Sequence, residues 1–317
     1  MNHSNTFALH IANEPLDNLK RKVDLGIDQF IVEASQAIIN KDPGVFAWGW
    51  LDDLLERIAK VTSKPPYFLS CRVPLRFQSP DVPISPKNYI DRDHPERGMV
   101  QFPFATQIAE QFVEEVRKFD DLESDRYRHI GVYIRDVEAN LPSWWTSGAA
   151  EFARQMITVS AFNVFHPKGK QVVGPGITIM EHETHKQRDA ARNAFRDIMS
   201  LAGSQIDHPS VHSYARNGRD AGWQITEFAR AVGFDLRKKN LWISETGQTK
   251  GDGEENQLIR IQDFCRSFNW TADLSDPDLP GVAKVCFYDS ISSLNGLFRQ
   301  DGTPTLAMEW LSKEFLQ

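Results

Sequence analysis

The chain is 317 residues long, 41% hydrophobic and 25% charged, with a formal net charge of −7; this is the composition of a globular protein large enough to hide roughly three quarters of its unfolded surface. The basic residues form no run, which disfavours nucleic acid and anionic membrane as partners, and no apolar stretch approaches the roughly 18 residues of a membrane span. Cys71, Cys265 and Cys286 are odd in number and far apart, so they read as free thiols rather than as a disulfide frame or a zinc site.

The N-terminal stretch MNHSNTFALHIANEP has no basic region followed by an apolar run, so no signal peptide is expected. A cytoplasmic location is the default expectation, with secretion the alternative if a leader was removed. From there β-rich runs alternate with helical patterns. The predicted strands are Thr6–Ile11, Gln29–Ala34, Tyr67–Val73, Ile130–Asp136, Gln171–Gly174, Ser210–Tyr214, Leu241–Glu245 and Ala283–Tyr288. Stretches such as WLDDLLERIAKV, ATQIAEQFVEEVRKF and ITEFARAVGF carry apolar residues at i, i+3, i+4 spacing, and TLAMEWLSKEFL closes the chain as a helix. Eight strand–helix units predict an α/β protein with a single (β/α)8 TIM-barrel domain over residues 1–317. A doubly wound sheet also alternates, but no glycine-rich phosphate loop follows the first strand. The segment Pro74–Pro103, punctuated by Pro80, Pro83, Pro86 and Pro95, is expected as a long loop after the third strand. In a barrel that places it on the C-terminal face, where active sites are built.

Catalytic groups of a barrel belong at the C-terminal ends of strands. Glu245 ends the apolar run LWISE, and Glu138 follows GVYIRD and precedes ANLPSWW. A glutamate is by default a solvated cap or an ion-pair partner. Two at one mouth, with aromatics beside them, point instead to the acid/base and nucleophile pair expected of a glycosidase. Eight tryptophans add aromatic faces suited to sugar rings, although packing is the ordinary role of each one. The string Asn13-Glu14-Pro15 reads as a helix start rather than as chemistry. The run Glu181-His182-Glu183-Thr184-His185 lacks the spacing of the His-Glu-x-x-His metal motif and reads as the start of a polar helix. Asp52 and Asp53 are expected on the helix after the second strand. No nucleophile elbow supports serine catalysis.

The ordered series of motifs resembles clan A glycoside hydrolases, closest in flavour to family 39 and its relatives. VYIRDVEANLPSWW and KQVVGPGI are similar to that clan's fourth and fifth strand units, PSVHSY to the sixth, LWISETGQ to the seventh and VCFYDSISSLNGLFRQDGTPTLAMEWL to the eighth. The resemblance covers nearly the whole chain. It implies a retaining hydrolase of oligo- or polysaccharides that needs no cofactor or metal. Glu138 matches the acid/base and Glu245 the nucleophile. His212 and Tyr214 match the strand-six pair near the nucleophile, Tyr288 the strand-eight aromatic under the bound sugar, and Trp144 and Trp145 a sugar platform. The sequence departs from the pattern where Val137 replaces the Asn before the acid/base and Ala139 the following Pro. An apolar residue near Ile31 also stands in place of the strand-two Arg. Asn140, and Arg72 or Arg135, are the candidates to supply the missing contacts. These departures motivate the alternative of a barrel that binds glycan without cutting it. Retention implies carboxyl oxygens about 5–5.5 Å apart.

Overall fold

The computed structural model describes residues 7–33, 48–64, 66–70, 132–135, 171–180, 184–215, 218–236, 241–247, 253–270, 281–288 and 296–316. Strand β1 (Phe7–Ile11) pairs in parallel with β2 (Phe30–Glu33), and the ladder continues in chain order through β3 (Tyr67–Ser70), β4 (Val132–Arg135), β5 (Gln171–Met180), β6 (His208–Tyr214) and β7 (Leu241–Thr246). A two-residue strand, β8 (Asn269–Trp270), sits beside β9 (Gly281–Phe287). β9 pairs with β7 on one side and with β1 on the other, with Phe7 opposite Val285 and Leu9 opposite Phe287. The parallel sheet therefore curls until its ends meet. Helices follow six of these strands among the described residues: α1 (Leu16–Asp24), α2 (Gly49–Ala59), α3 (His185–Ala202), α4 (Gly218–Val232), α5 (Glu254–Arg266) and α6 (Leu306–Leu311). The predicted helix ATQIAEQFVEEVRKF and the Pro74–Pro103 loop lie outside the described residues. No described helix is long and apolar enough to cross a membrane.

The strands carry apolar residues on both faces because both faces are covered. Ala8, Ile31, Tyr67, Val173, Trp242 and Cys286 form an inner cluster. On the outer face Leu9, Val32, Val211, Ile243 and Val285 join a larger core with the helices. Helix α2 shows how the pattern works: Leu51, Leu54, Leu55 and Ile58 are all buried, and they fall at the i, i+3, i+4, i+7 positions of a single face. Truncating any one of them to Ala costs about 2–5 kcal/mol. Asp52 lies in the first turn of this helix, where a carboxylate suits the helix dipole. Cys265 and Cys286 are buried and free.

Close approach decides the packing of α4 on α5. A Cβ at Gly222 would stand 2.2 Å from the Ser267 carbonyl oxygen, and one at Gly218 would stand 2.0 Å from that of Arg260. The Ser267 hydroxyl donates to the Gly218 carbonyl at 2.9 Å. The loop after β9 is pinned to the N-terminus of α5 by Arg299, whose Nε and Nη2 each reach a Glu254 carboxylate oxygen at 2.7 Å.

One local expectation changes. Strand β5 runs on to Met180 instead of stopping at Gly174, because a bulge between Gly174 and Ile177 absorbs Pro175. Gly176 takes φ +61° there and donates its N–H to the Ser210 hydroxyl at 3.0 Å. The Asn13-Glu14-Pro15 string does stand at the start of α1. Pro15 caps α1 in extended geometry, while Glu14 is buried against Lys22 as an ion pair. Burial holds the Lys22 ammonium below its usual pKa, and the charge of Glu14 opposes that shift.

Candidate active site

Strand β7 is buried along its whole length and positions the site. On the β6 side Val211 faces Ile243 and His212 faces Glu245. On the β9 side Ile243 faces Val285 and Thr246 faces Phe287. Both ladders therefore step past Ser244. A bulge of this kind bends the strand and re-aims the side chains that follow it. Glu245, the next residue, is 5% exposed.

Its partners come from β6, where two residues of the same strand face share the carboxylate. The Tyr214 hydroxyl donates to Oε1 of Glu245. His212, fully buried, holds Nδ1 3.8 Å from Oε2. Thr246 locks the strand end by donating its hydroxyl to the Ser213 carbonyl at 2.6 Å. Tyr288, the residue after β9, donates its backbone N–H to the Thr246 carbonyl at 2.7 Å and leaves its side chain 39% exposed. Deeper in the interior, burial pushes the Cys286 thiol up to about 12, and the negative charge of Glu245 adds to the rise. This thiol stays protonated at neutral pH and is neither a nucleophile nor a second anion. The result is one oriented, buried carboxylate beside a half-exposed aromatic, able to act as a nucleophile or a base.

Four of the residues named from the sequence thus lie at the C-terminal ends of adjacent strands: His212, Tyr214, Glu245 and Tyr288. Glu138, Asn140, Trp144, Trp145 and Arg72 lie outside the described residues, as does Glu181. Arg135 is the last residue of β4, opposite Ser70. Ile31 on β2 is fully buried in the inner cluster. The Glu181–His185 run leads into α3, which starts at His185. Thr184 and Gln187 form a capping box there, with Gln187 N–H donating to the Thr184 hydroxyl at 3.3 Å. Among the described residues no group of three or more His, Cys, Asp or Glu is placed to hold a metal ion. One polar neighbour was missed by sequence reasoning. His10 on β1 brings Nε2 to 3.3 Å from the Ser244 carbonyl. Its alternation with Ala8 marked it as inward-facing, but nothing in the sequence said which strand it would meet.

The curled parallel sheet is a fold shared with solved structures of glycoside hydrolases. The chain superposes on β-glycosidase BGL167 with a TM-score of 0.63 at 12% identity, covering 94% of this chain and 84% of that one. It is also similar to the GH39 enzyme from Xanthomonas axonopodis pv. citri, with a TM-score of 0.59 at 13% identity over 98% of this chain and 66% of that one. A third likeness is to ZgEngAGH5_4 in complex with a cellotriose, with a TM-score of 0.59 at 12% identity over 99% and 96% of the two chains. No protein-family model and no curated protein sequence matches the chain.

Proposed function

We propose that the protein is a retaining glycoside hydrolase, a single (β/α)8 barrel domain over residues 1–317 that cleaves O-glycosidic bonds of an oligo- or polysaccharide. Glu245 carries the reading: it is a buried carboxylate at the end of β7, oriented by Tyr214, in a fold shared with solved glycosidases. The pairing of β1 with β9 supports the closed barrel. In the first step Glu138, protonated, donates to the leaving glycosidic oxygen while ionised Glu245 attacks the anomeric carbon. In the second, Glu138 acts as base and water releases the sugar from Glu245. The Tyr214 hydroxyl limits rotation of the carboxylate, and His212 packs beside it. Tyr288, Trp144 and Trp145 offer faces to the sugar, and Asn140 and Arg72 supply polar contacts. This chemistry requires neither a metal nor an organic cofactor.

A panel of activated aryl glycosides tests the proposal. Wild type is expected to turn over at least one of them. Glu245→Ala abolishes turnover, and azide restores it with inverted configuration. Glu138→Ala keeps the first step, accumulates the covalent intermediate on Glu245 and gives a glycosyl azide of retained configuration. Glu138→Ala behaving as wild type on natural glycan refutes the assignment of the acid. Val137 and the buried Ile31 favour a second reading, a glycan-binding barrel without catalysis. A silent wild type that nevertheless binds oligosaccharide selects that reading.

A further inference from the structure

His10 lies beside Glu245 and has no part in the chemistry so far. β1 and β7 are not neighbours in the sheet, because β9 stands between them, so no ladder bond joins the two. Alternation puts His10 on the face of Ala8, which packs into the inner cluster. From there the imidazole, 6% exposed, reaches past β9 to the Ser244 carbonyl, 3.3 Å from Nε2. A carbonyl only accepts, so Nε2 is the donor. Ser244 is the residue that both ladders of β7 step past, and a bulge frees backbone groups that need partners elsewhere. The same ring meets Tyr288 edge-on, with centroids 5.5 Å apart at 64°. One side chain thus touches the peptide link directly before Glu245 and the aromatic that follows β9.

We propose that His10 is a positioning residue of the glycosidase site. Its N–H holds the bulge that aims Glu245, and its ring edge sets the plane of Tyr288. The inference rests on the glycosidase reading of Glu245. The two roles separate in kinetics: aim of the nucleophile acts on kcat, while the sugar platform acts on KM.

The test is steady-state kinetics on an aryl glycoside that wild type hydrolyses, with thermal melting of each variant alongside. His10→Phe keeps a ring edge and loses the donor. Its kcat is expected to fall roughly ten- to a hundredfold while KM moves less than about threefold, since misplacing a reacting group by about 1 Å costs about that much. His10→Gln keeps an N–H donor and loses the ring. Its kcat stays within about threefold of wild type and its KM rises about three- to tenfold, the worth of one aromatic contact. If His10→Phe fails to fold, the expected pattern in His10→Gln, near-normal kcat with raised KM, carries the test alone. Both variants matching wild type, or kcat and KM falling together with the melting temperature in both, would overturn the inference while leaving an active glycosidase. A wild type silent on every glycoside overturns the glycosidase reading, and this inference with it.

Discussion

Lys284 offers the sharpest test of the interior. It stands in the middle of β9, 8% exposed, with Nζ 5.2 Å from the Tyr67 ring centroid and 5.6 Å from that of Trp242. Burial lowers its pKa from 10.5 to about 8, with Lys64 adding to that shift and Asp28 opposing it. His208, stacked on Trp242 at 5.1 Å, has its own pKa lowered by burial first and then held down by Lys284, against the charge of Asp207. It therefore adds no competing cation at neutral pH. At about 1.4 kcal/mol per pH unit, a pKa lowered from 10.5 to about 8 corresponds to about 3 kcal/mol of destabilisation when the ammonium is charged in both states. The two rings return about 1–2 kcal/mol of this through cation–π attraction. The sign follows from proton counting. Below pH 8 both states hold the proton and the penalty is complete. Between about 8 and 10.5 the folded chain releases it while the unfolded chain keeps it, so stability rises with pH. Above 10.5 the penalty is gone. Lys284→Met keeps the length of the side chain and drops the charge. In urea unfolding at pH 7 the variant is expected to be about 1–2 kcal/mol more stable than wild type. That gap should close by about pH 11. A pH-independent difference, or a variant less stable at pH 7, refutes the reasoning.

Two further outcomes follow from contacts already described. Tyr214→Phe removes the hydroxyl that donates to Glu245. Loss of a hydrogen bond to a charged group is worth about 1.5–3 kcal/mol, so kcat on an aryl glycoside should fall about ten- to a hundredfold with little change in melting temperature; an unchanged kcat removes Tyr214 from the site. Gly222→Ala forces a methyl to 2.2 Å from the Ser267 carbonyl and should cost about 1–3 kcal/mol as α4 and α5 part. Chemical denaturation that matches wild type would show that the two helices do not meet as described.

The strands were legible because a sheet covered on both faces leaves β-rich, mostly apolar runs such as FALHI and LWISE. Strand β5 was read short because Pro175 and Gly176 look like a stop, and only the partner hydroxyl of Ser210 reveals the bulge. The burial of Glu14 was not legible for a related reason. Asn-Glu-Pro has the local chemistry of a helix start, whereas burial against Lys22 is a tertiary fact. At the site, Glu245 and its β6 partners could be found from a polar residue ending an apolar strand and from alternation within PSVHSY. The Ser244 bulge and its contact with His10 could not, since they depend on how far the sheet curls before its ends meet. Lys284 left a trace in AKVCFY: it shares a face with Cys286, which marks an inward position for a charged residue.

The meeting of β1 and β9 also governs how the chain can acquire its structure. Phe7 is the register partner of Val285, and its ring lies 5.8 Å from that of Phe287. The contacts that complete the first strand thus come from nearly the opposite end of the sequence. Such pairings carry a large loop-closure entropy and slow folding relative to local contacts. During synthesis β1 has only one side satisfied until β9 emerges, and until then its open edge is a template for other chains. Glu245 sits on the strand that β9 must join. The Glu245 carboxylate is therefore among the last features to be set in place, and a chain cut short before β9 keeps the residue while losing the neighbour that fixes it.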